Sequence, residues 1–246
     1  MEQVRRSYVP EDEAFFYREE SLGKLCQAQK DLLYLIERGY PMKNASVFTG
    51  NHYLLSERQR LALVRATSSR QAAALRGNRE VIGPVPGKEV HIDGFNIIIT
   101  LEIALSGSTL LKCMDGTIRD LAGLRGTYRI IGKTHEAIRL LLCRLKELET
   151  ERAVFYLDSP VSNSGKLRAL ILDTAREEAI DCQVHLVPNA DAVLKETEHV
   201  ITSDAIILDH CKSWLNPLPG LLSSSLPGLR FVDLTMQGPE TGPKTS

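Results

Sequence analysis

The sequence predicts an α/β protein in which an N-terminal helical region precedes a mostly parallel sheet with helices on both faces. Three observations carry this. Residues 11–38 set apolar side chains at helical spacing, the Gly/Pro-rich stretch GPVPGK interrupts the chain at 83–88, and beyond it short apolar runs alternate with helical segments. Hydrophobic residues make up 43% of the 246 and charged residues 25%, so the chain can build a packed core and wholesale disorder is excluded.

In order along the chain, Leu22, Leu25, Leu32, Leu33, Leu35 and Ile36 define the first helical stripe, which Gly39 and Tyr40-Pro41 end. A second helix is expected from Ser56, because Gln59 follows three residues later at the spacing of a capping box. It runs to Gly77-Asn78. Residues 1–82 thus form a helical domain, 88–236 an α/β domain, and the polar tail 237–246 is expected to be disordered. Within the second domain the strand candidates are 89–92, 109–114, 152–157, 183–188, 199–202 and 229–234. Helical segments fall at 95–105, 134–148, 164–180 and 204–215.

The net charge of −1 conceals an asymmetry. Residues 38–79 carry eight Lys or Arg against the single acid Glu57, whereas residues 81–246 carry 17 basic and 21 acidic residues. That suits an anionic partner for the helical region and a cation site in the α/β region. Five widely spaced cysteines with no C-x-x-C pair signal neither a disulfide framework nor zinc. With no apolar run at the N-terminus and none of membrane-spanning length, a cytoplasmic protein without membrane contact is expected.

The chemistry lies in the carboxylates. Three expected strands finish on aspartate: EVHI-Asp93, RAVFYL-Asp158 and HVITS-Asp204, with Asp191 and Asp209 near the third. In an open parallel sheet the carboxyl ends of the strands face one crevice where ligands bind. Carboxylates gathered there repel one another unless a cation joins them, and an all-oxygen set suits Mg²⁺ or Mn²⁺. Taken singly, an aspartate after a strand is more often an N-cap of the next helix. The three together, with Asn96 beside Asp93, favour a cluster.

HIDGFNIII (91–99) resembles the opening of NYN domains, a branch of the PIN-like nucleases: a strand, then D-G-[FY]-N, then an apolar helix. ADAVLKETEHVITSDAIIL (190–208) resembles their second signature, a D-x-x-L element before a strand that ends in a Ser/Thr-rich turn and an aspartate. The resemblance covers about residues 88–210. It implies a metal-dependent ribonuclease that uses Mg²⁺ or Mn²⁺, with Asp93 and Asp204 as direct ligands and Asp158 and Asp191 completing the site. Asn96 would orient Asp93 or the substrate, and Ser203 would bond a phosphate or hold Asp204. The sequence departs from the S-G-D-x-D pattern of many members, since Ala205 and Ile206 follow Asp204 and leave Asp209 to substitute. A catalytically degenerate PIN-like nucleic-acid-binding module is therefore the alternative. RGYPMKNASVFTGNHYLLSERQRLALVRA, within residues 15–80, also looks like the helical region of an uncharacterised prokaryotic family of unknown function.

An RNA partner needs phosphate contacts. Lys166 lies in DSPVSNSGK, where Ser164 or Asn163 should cap the following helix and leave its N–H groups to an anion. A second candidate is the stretch 119–133, whose Arg119, Arg125, Arg129 and Lys133 lie among glycines and Tyr128 and read as an exposed basic loop. If 56–76 is one helix, Arg58, Arg65 and Arg76 share a stripe, either for phosphates or for acids of the other domain. No nucleotide cofactor is expected, because no G-x-G-x-x-G follows the first strand and Leu167 replaces the Walker Ser/Thr after Lys166.

Overall fold

The structure, a computed structural model, describes residues 4–123 and 126–236. The tail 237–246 and Arg125 lie outside the described residues. The helical region contains α1 (Asp12–Phe16), α2 (Glu19–Ile36), α3 (Met42–His52), α4 (Glu57–Ala66) and α5 (Arg70–Gly77). The capping box is present: Ser56 accepts from Gln59 N, and the Gln59 side chain accepts from Ser56 N.

Two sequence expectations fail here, each for a physical reason. Helix α3 fills residues expected to be a connection; only its Ala45, Ser46, Thr49 and Gly50 are buried, a stripe too sparse in large apolar side chains to announce a helix. The single helix over 56–76 is broken at Thr67-Ser68-Ser69. Thr67 Oγ1 turns back to Leu63 O, and Ser69 accepts from Ala72 N to start α5. The carbonyls of the last α4 turn are taken by other elements: Ala66 O by Met114 N, and Arg65 O by the Arg119 guanidinium.

Sheet A is fully parallel, in the order β5-β4-β1-β6: β1 (Glu89–Asp93), β4 (Arg152–Asp158), β5 (Cys182–Val187) and β6 (Val200–Ile201). Val90, Ile92, Ala153, Phe155, Leu157 and Val184 point to one face, where they meet the buried α6 (Gly94–Leu105), α7 (Thr134–Glu147) and α8 (Ser164–Glu177), with α11 (Leu218–Ser225) behind α7. On the other face α9 (Ala190–Leu194), α10 (Ala205–Leu208) and Trp214 pack around Tyr156 and Val187. The chain runs outward from β1 to β4 and β5, then returns to β6 on the other side of β1. The winding therefore reverses at β1, the place where such sheets bind ligands.

The runs 109–114 and 229–234, expected in this sheet, instead form a second one, in the order β3-β2-β7: β2 (Leu110–Lys112), β3 (Ile118–Asp120) and β7 (Phe231–Asp233). Their Leu111, Val232 and neighbouring Leu234 complete the core of the helical region with Phe16, Leu25 and Leu63. Strand β3 is absent from the sequence expectations, although Asp115-Gly116 is a hairpin signal. The helical segment 204–215 stops at Leu208, because Trp214 leaves it to bridge Val200 and Glu80 and donates Nε1 to Arg76 O at 2.7 Å.

Candidate functional site

Gly94 decides the local geometry at the end of β1. A Cβ there would stand 2.5 Å from Leu157 Cδ2 and 3.1 Å from Tyr156 O, so glycine lets α6 start against β4 without displacing Leu157. That start makes Asp93 the N-cap of α6, its Oδ1 accepting from Asn96 N at 3.5 Å while Thr202 Oγ1 donates to Oδ2 at 2.9 Å. Thr202 Oγ1 also accepts from Asp204 N at 3.0 Å, which ties the two strand-end acids together. Asp204 caps α10, its Oδ1 accepting from Ile206 N and Ile207 N. Asp158 Oδ1 accepts from Ala190 N at 2.9 Å and so fixes the start of α9, which carries Asp191. The capping roles expected of single aspartates are real and coexist with the grouping.

Asp93, Asp158, Asp191 and Asp204 line one cleft of about 920 Å³, a volume typical of ligand sites. Burial pushes the Asp93 carboxyl up to about 7, helped by the neighbouring charges of Asp191 and Asp204 and opposed by the Thr202 hydrogen bond. Asp191 is raised too, by burial first and then by Asp204 and Asp158. The acids therefore sense one another. Among the described residues, however, no three His, Cys, Asp or Glu side chains stand close enough together to hold a metal ion as they are placed.

Asn96 also lines the cleft. Its Oδ1 accepts from Ser203 N at 2.8 Å and Ser203 Oγ at 3.0 Å, and its Nδ2 has no hydrogen-bond partner among the described residues. Ser203 is thus a buried strut for Asn96 and does not hold Asp204 through its hydroxyl. Thr202, which bridges Asp93 and Asp204, was missed, because a threonine ahead of Ser-Asp carries no signal of its own in sequence.

The basic candidates fare differently. Arg119 lies on β3 and is 7% exposed, donating to Ser203 O at 2.7 Å and Asp115 Oδ2 at 2.5 Å. It braces the site from behind and is no exposed loop residue. Tyr128, expected in the same loop, is fully buried with its hydroxyl on Glu102 Oε1. Lys166 is exposed on α8 outside the cleft lining. Neither Ser164 nor Asn163 caps that helix: Asn163 takes a left-handed conformation and donates to Tyr128 O, and Ser164 Oγ donates to Ser159 O. Arg58, Arg65 and Arg76 turn inward to acids, Arg58 to Asp12, Arg65 to Asp120, and Arg76 to Asp115 and Asp209. Because Asp209 is held by Arg76 and lies outside the cleft lining, it does not replace the absent second acid after Asp204.

The helical region forms the opposite wall of the cleft through Met42, Val64, Arg65, Ser69, Ala72 and Arg76. No helix among the described residues is long and apolar enough to cross a membrane.

Two family models match. One, described as Protein of unknown function (DUF434), covers residues 24–79, and the other, Domain of unknown function (DUF5616), covers residues 83–219. An uncharacterized protein of Methanocaldococcus jannaschii, MJ0935, is 38% identical over 183 residues, which span 74% of this chain and 88% of that protein. No solved structure matches the chain. Neither description names a PIN or NYN domain.

Proposed function

We propose that this chain, which belongs to the family described as Domain of unknown function (DUF5616), is a metal-dependent ribonuclease acting at the cleft where β1 and β6 end. The observation that carries this reading is the delivery of four aspartates to one cleft at the winding reversal of a parallel sheet, with the Asp93 carboxyl pushed up to about 7. The likeness of HIDGFNIII and of residues 190–208 to NYN domains supports it.

The donor set is carboxylate oxygen alone, as hard divalent cations prefer. Asp204 and Asp93 would serve as ligands for Mg²⁺ or Mn²⁺, with Asp158 and Asp191 completing the set. Among the described residues, the hydrogen bonds that Asp158 and Asp204 accept fall on Oδ1, which leaves both Oδ2 atoms to a cation. Such an ion would supply Lewis acidity toward a phosphodiester. The chain's own contribution is positional. Thr202 holds Asp93 and Asp204 in fixed relation, and Ser203 fixes the Asn96 amide so that its Nδ2 remains as a donor to a phosphate oxygen. Ile99 and Phe95 restrict water along the α6 side of the cleft.

A second reading, a PIN-like module that binds nucleic acid without turnover, is favoured by two observations: Asp209 is diverted to Arg76, and among the described residues no three acids are grouped as placed. Calorimetry with Mn²⁺ on the wild type and on Asp93→Asn, with RNA cleavage followed on the same samples, separates the readings. Mn²⁺ binding lost in the variant together with Mn²⁺-dependent cleavage is the expected result. Binding without cleavage selects the second reading, and absence of binding at millimolar Mn²⁺ removes the metal site and leaves the aspartates as helix caps.

A further inference from the structure

The cleft has two chemically unlike walls. One carries the carboxylates at the ends of the sheet strands, beside Phe95 and Ile99 of α6. The other belongs mainly to the helical region, where Ile36, Met42 and Val64, the last 37% exposed, line the cleft, and Ile206, 54% exposed, lines it from the start of α10. Ile206 occupies the position two residues after Asp204 where the resembled pattern carries an acid. Arg65 lines the same cleft, its guanidinium pinned by Asp120 Oδ1, Asp120 O and Ala122 O while its side chain stays 30% exposed. A fixed guanidinium plane in a cleft that also carries aliphatic side chains is a surface on which a flat ring stacks. Exposed aliphatic groups in the same cleft as four carboxylates call for an occupant with an anionic pole and an apolar face. A nucleotide within an RNA strand has both, and its phosphate would lie at the carboxylate end.

We propose that Val64, Arg65 and Met42 of the helical region, together with Ile206, receive the nucleobase next to the phosphate held at the aspartates, so that the helical region and sheet A form one composite substrate site. This rests on the metal-nuclease reading for the position of the phosphate. It also accounts for the helical region, since without α3 and α4 the cleft would lack its base-binding wall.

The test uses the full chain and a hydrolysis-resistant phosphorothioate oligoribonucleotide, compared with an abasic phosphorothioate of the same length, by fluorescence anisotropy in Mn²⁺. Mn²⁺ binding is read separately by calorimetry. The variant Val64→Ser/Ile206→Ser alters two exposed side chains, so its melting temperature should match the wild type. It should bind the base-bearing strand about tenfold more weakly, from the apolar contact removed, with Mn²⁺ affinity and abasic-strand binding unchanged. An equal loss for both strands, or none for either, overturns the composite site. Mn²⁺ binding without base-dependent strand binding sinks the base wall and keeps the metal site. Base-dependent binding that the variant weakens, without any Mn²⁺ binding, keeps the wall and sinks the metal reading. Failure of both measurements sinks both.

Discussion

Replacing Asp93 by asparagine should stabilise the metal-free protein at alkaline pH and leave it unchanged in acid. In the folded state the carboxyl is pushed from its ordinary 3.8 to about 7 by burial and by the charges of Asp191 and Asp204. Between those two values the folded chain holds a proton that the unfolded chain has released. Stability therefore falls as pH rises through that window, and the full deficit is present above it. The rise converts to about 4 kcal/mol, which is about 10 °C in melting temperature for a chain of this size. Asparagine removes that cost with little loss of hydrogen bonding. Its Oδ1 can still accept from Asn96 N, its Nδ2 can donate to Thr202 Oγ1, and the threonine proton can turn to Asn96 Oδ1, 3.4 Å away. Thermal unfolding in EDTA at pH 4 and pH 8 measures the effect. Equal melting temperatures at pH 4 and a gain of several degrees for the variant at pH 8 are expected. A gain of the same size at both pH values, or a loss at both, would refute the argument that ionising Asp93 opposes folding. Adding Mn²⁺ at about a hundred times its dissociation constant should raise the wild type by about 2.7 kcal/mol and leave the variant where it was.

Two further outcomes follow from packing and charge. Asp115 has the opposite sign: burial pulls its carboxyl upward, but Arg119, the Thr117 hydrogen bond and Arg76 overcome that and hold it below 3.8. Its stabilisation is present above the ordinary value and lost as pH falls through the depressed one. Asp115→Asn should therefore cost about 3 kcal/mol at pH 7, because the buried Arg119 guanidinium loses its carboxylate partner and Arg76 keeps only Asp209. The gap to wild type, read from urea midpoints, should shrink toward pH 3, and a gap independent of pH would contradict the assignment. Gly94→Ala should cost about 1–3 kcal/mol, since its methyl meets Leu157 Cδ2 and Tyr156 O. An unchanged urea midpoint would show that Leu157 yields without strain.

Much of this architecture was legible in residue order. The alternation of apolar runs and helical segments announced a parallel sheet, and Ser56 with Gln59 announced the start of α4, because both signals are local and rest on backbone hydrogen bonding and side-chain period. Strand-end aspartates 93, 158 and 204 could be picked out because a parallel sheet places the ends of its strands together whatever the connections between them. The fate of the basic residues was not legible. In sequence the Arg58, Arg65 and Arg76 stripe suits phosphates or acids of the other domain, and Arg65 and Arg76 do meet acids of the α/β region, whereas Arg119 reads as part of an exposed basic loop. Their partners Asp12, Asp120, Asp115 and Asp209, with Ser203 O, are mostly dozens of residues away, and pairing over that range has no local signature. The same holds for Thr202 and for the placement of 109–114 and 229–234 in a second sheet, which depends on the apolar side of the helical region offering them a core. Periodicity and turn chemistry act within a few residues and so are written in the chain. Which charges neutralise one another, and which wall faces the aspartates, follows from how separate elements pack, since an ion pair and a cleft exist only once distant segments share a dry interior.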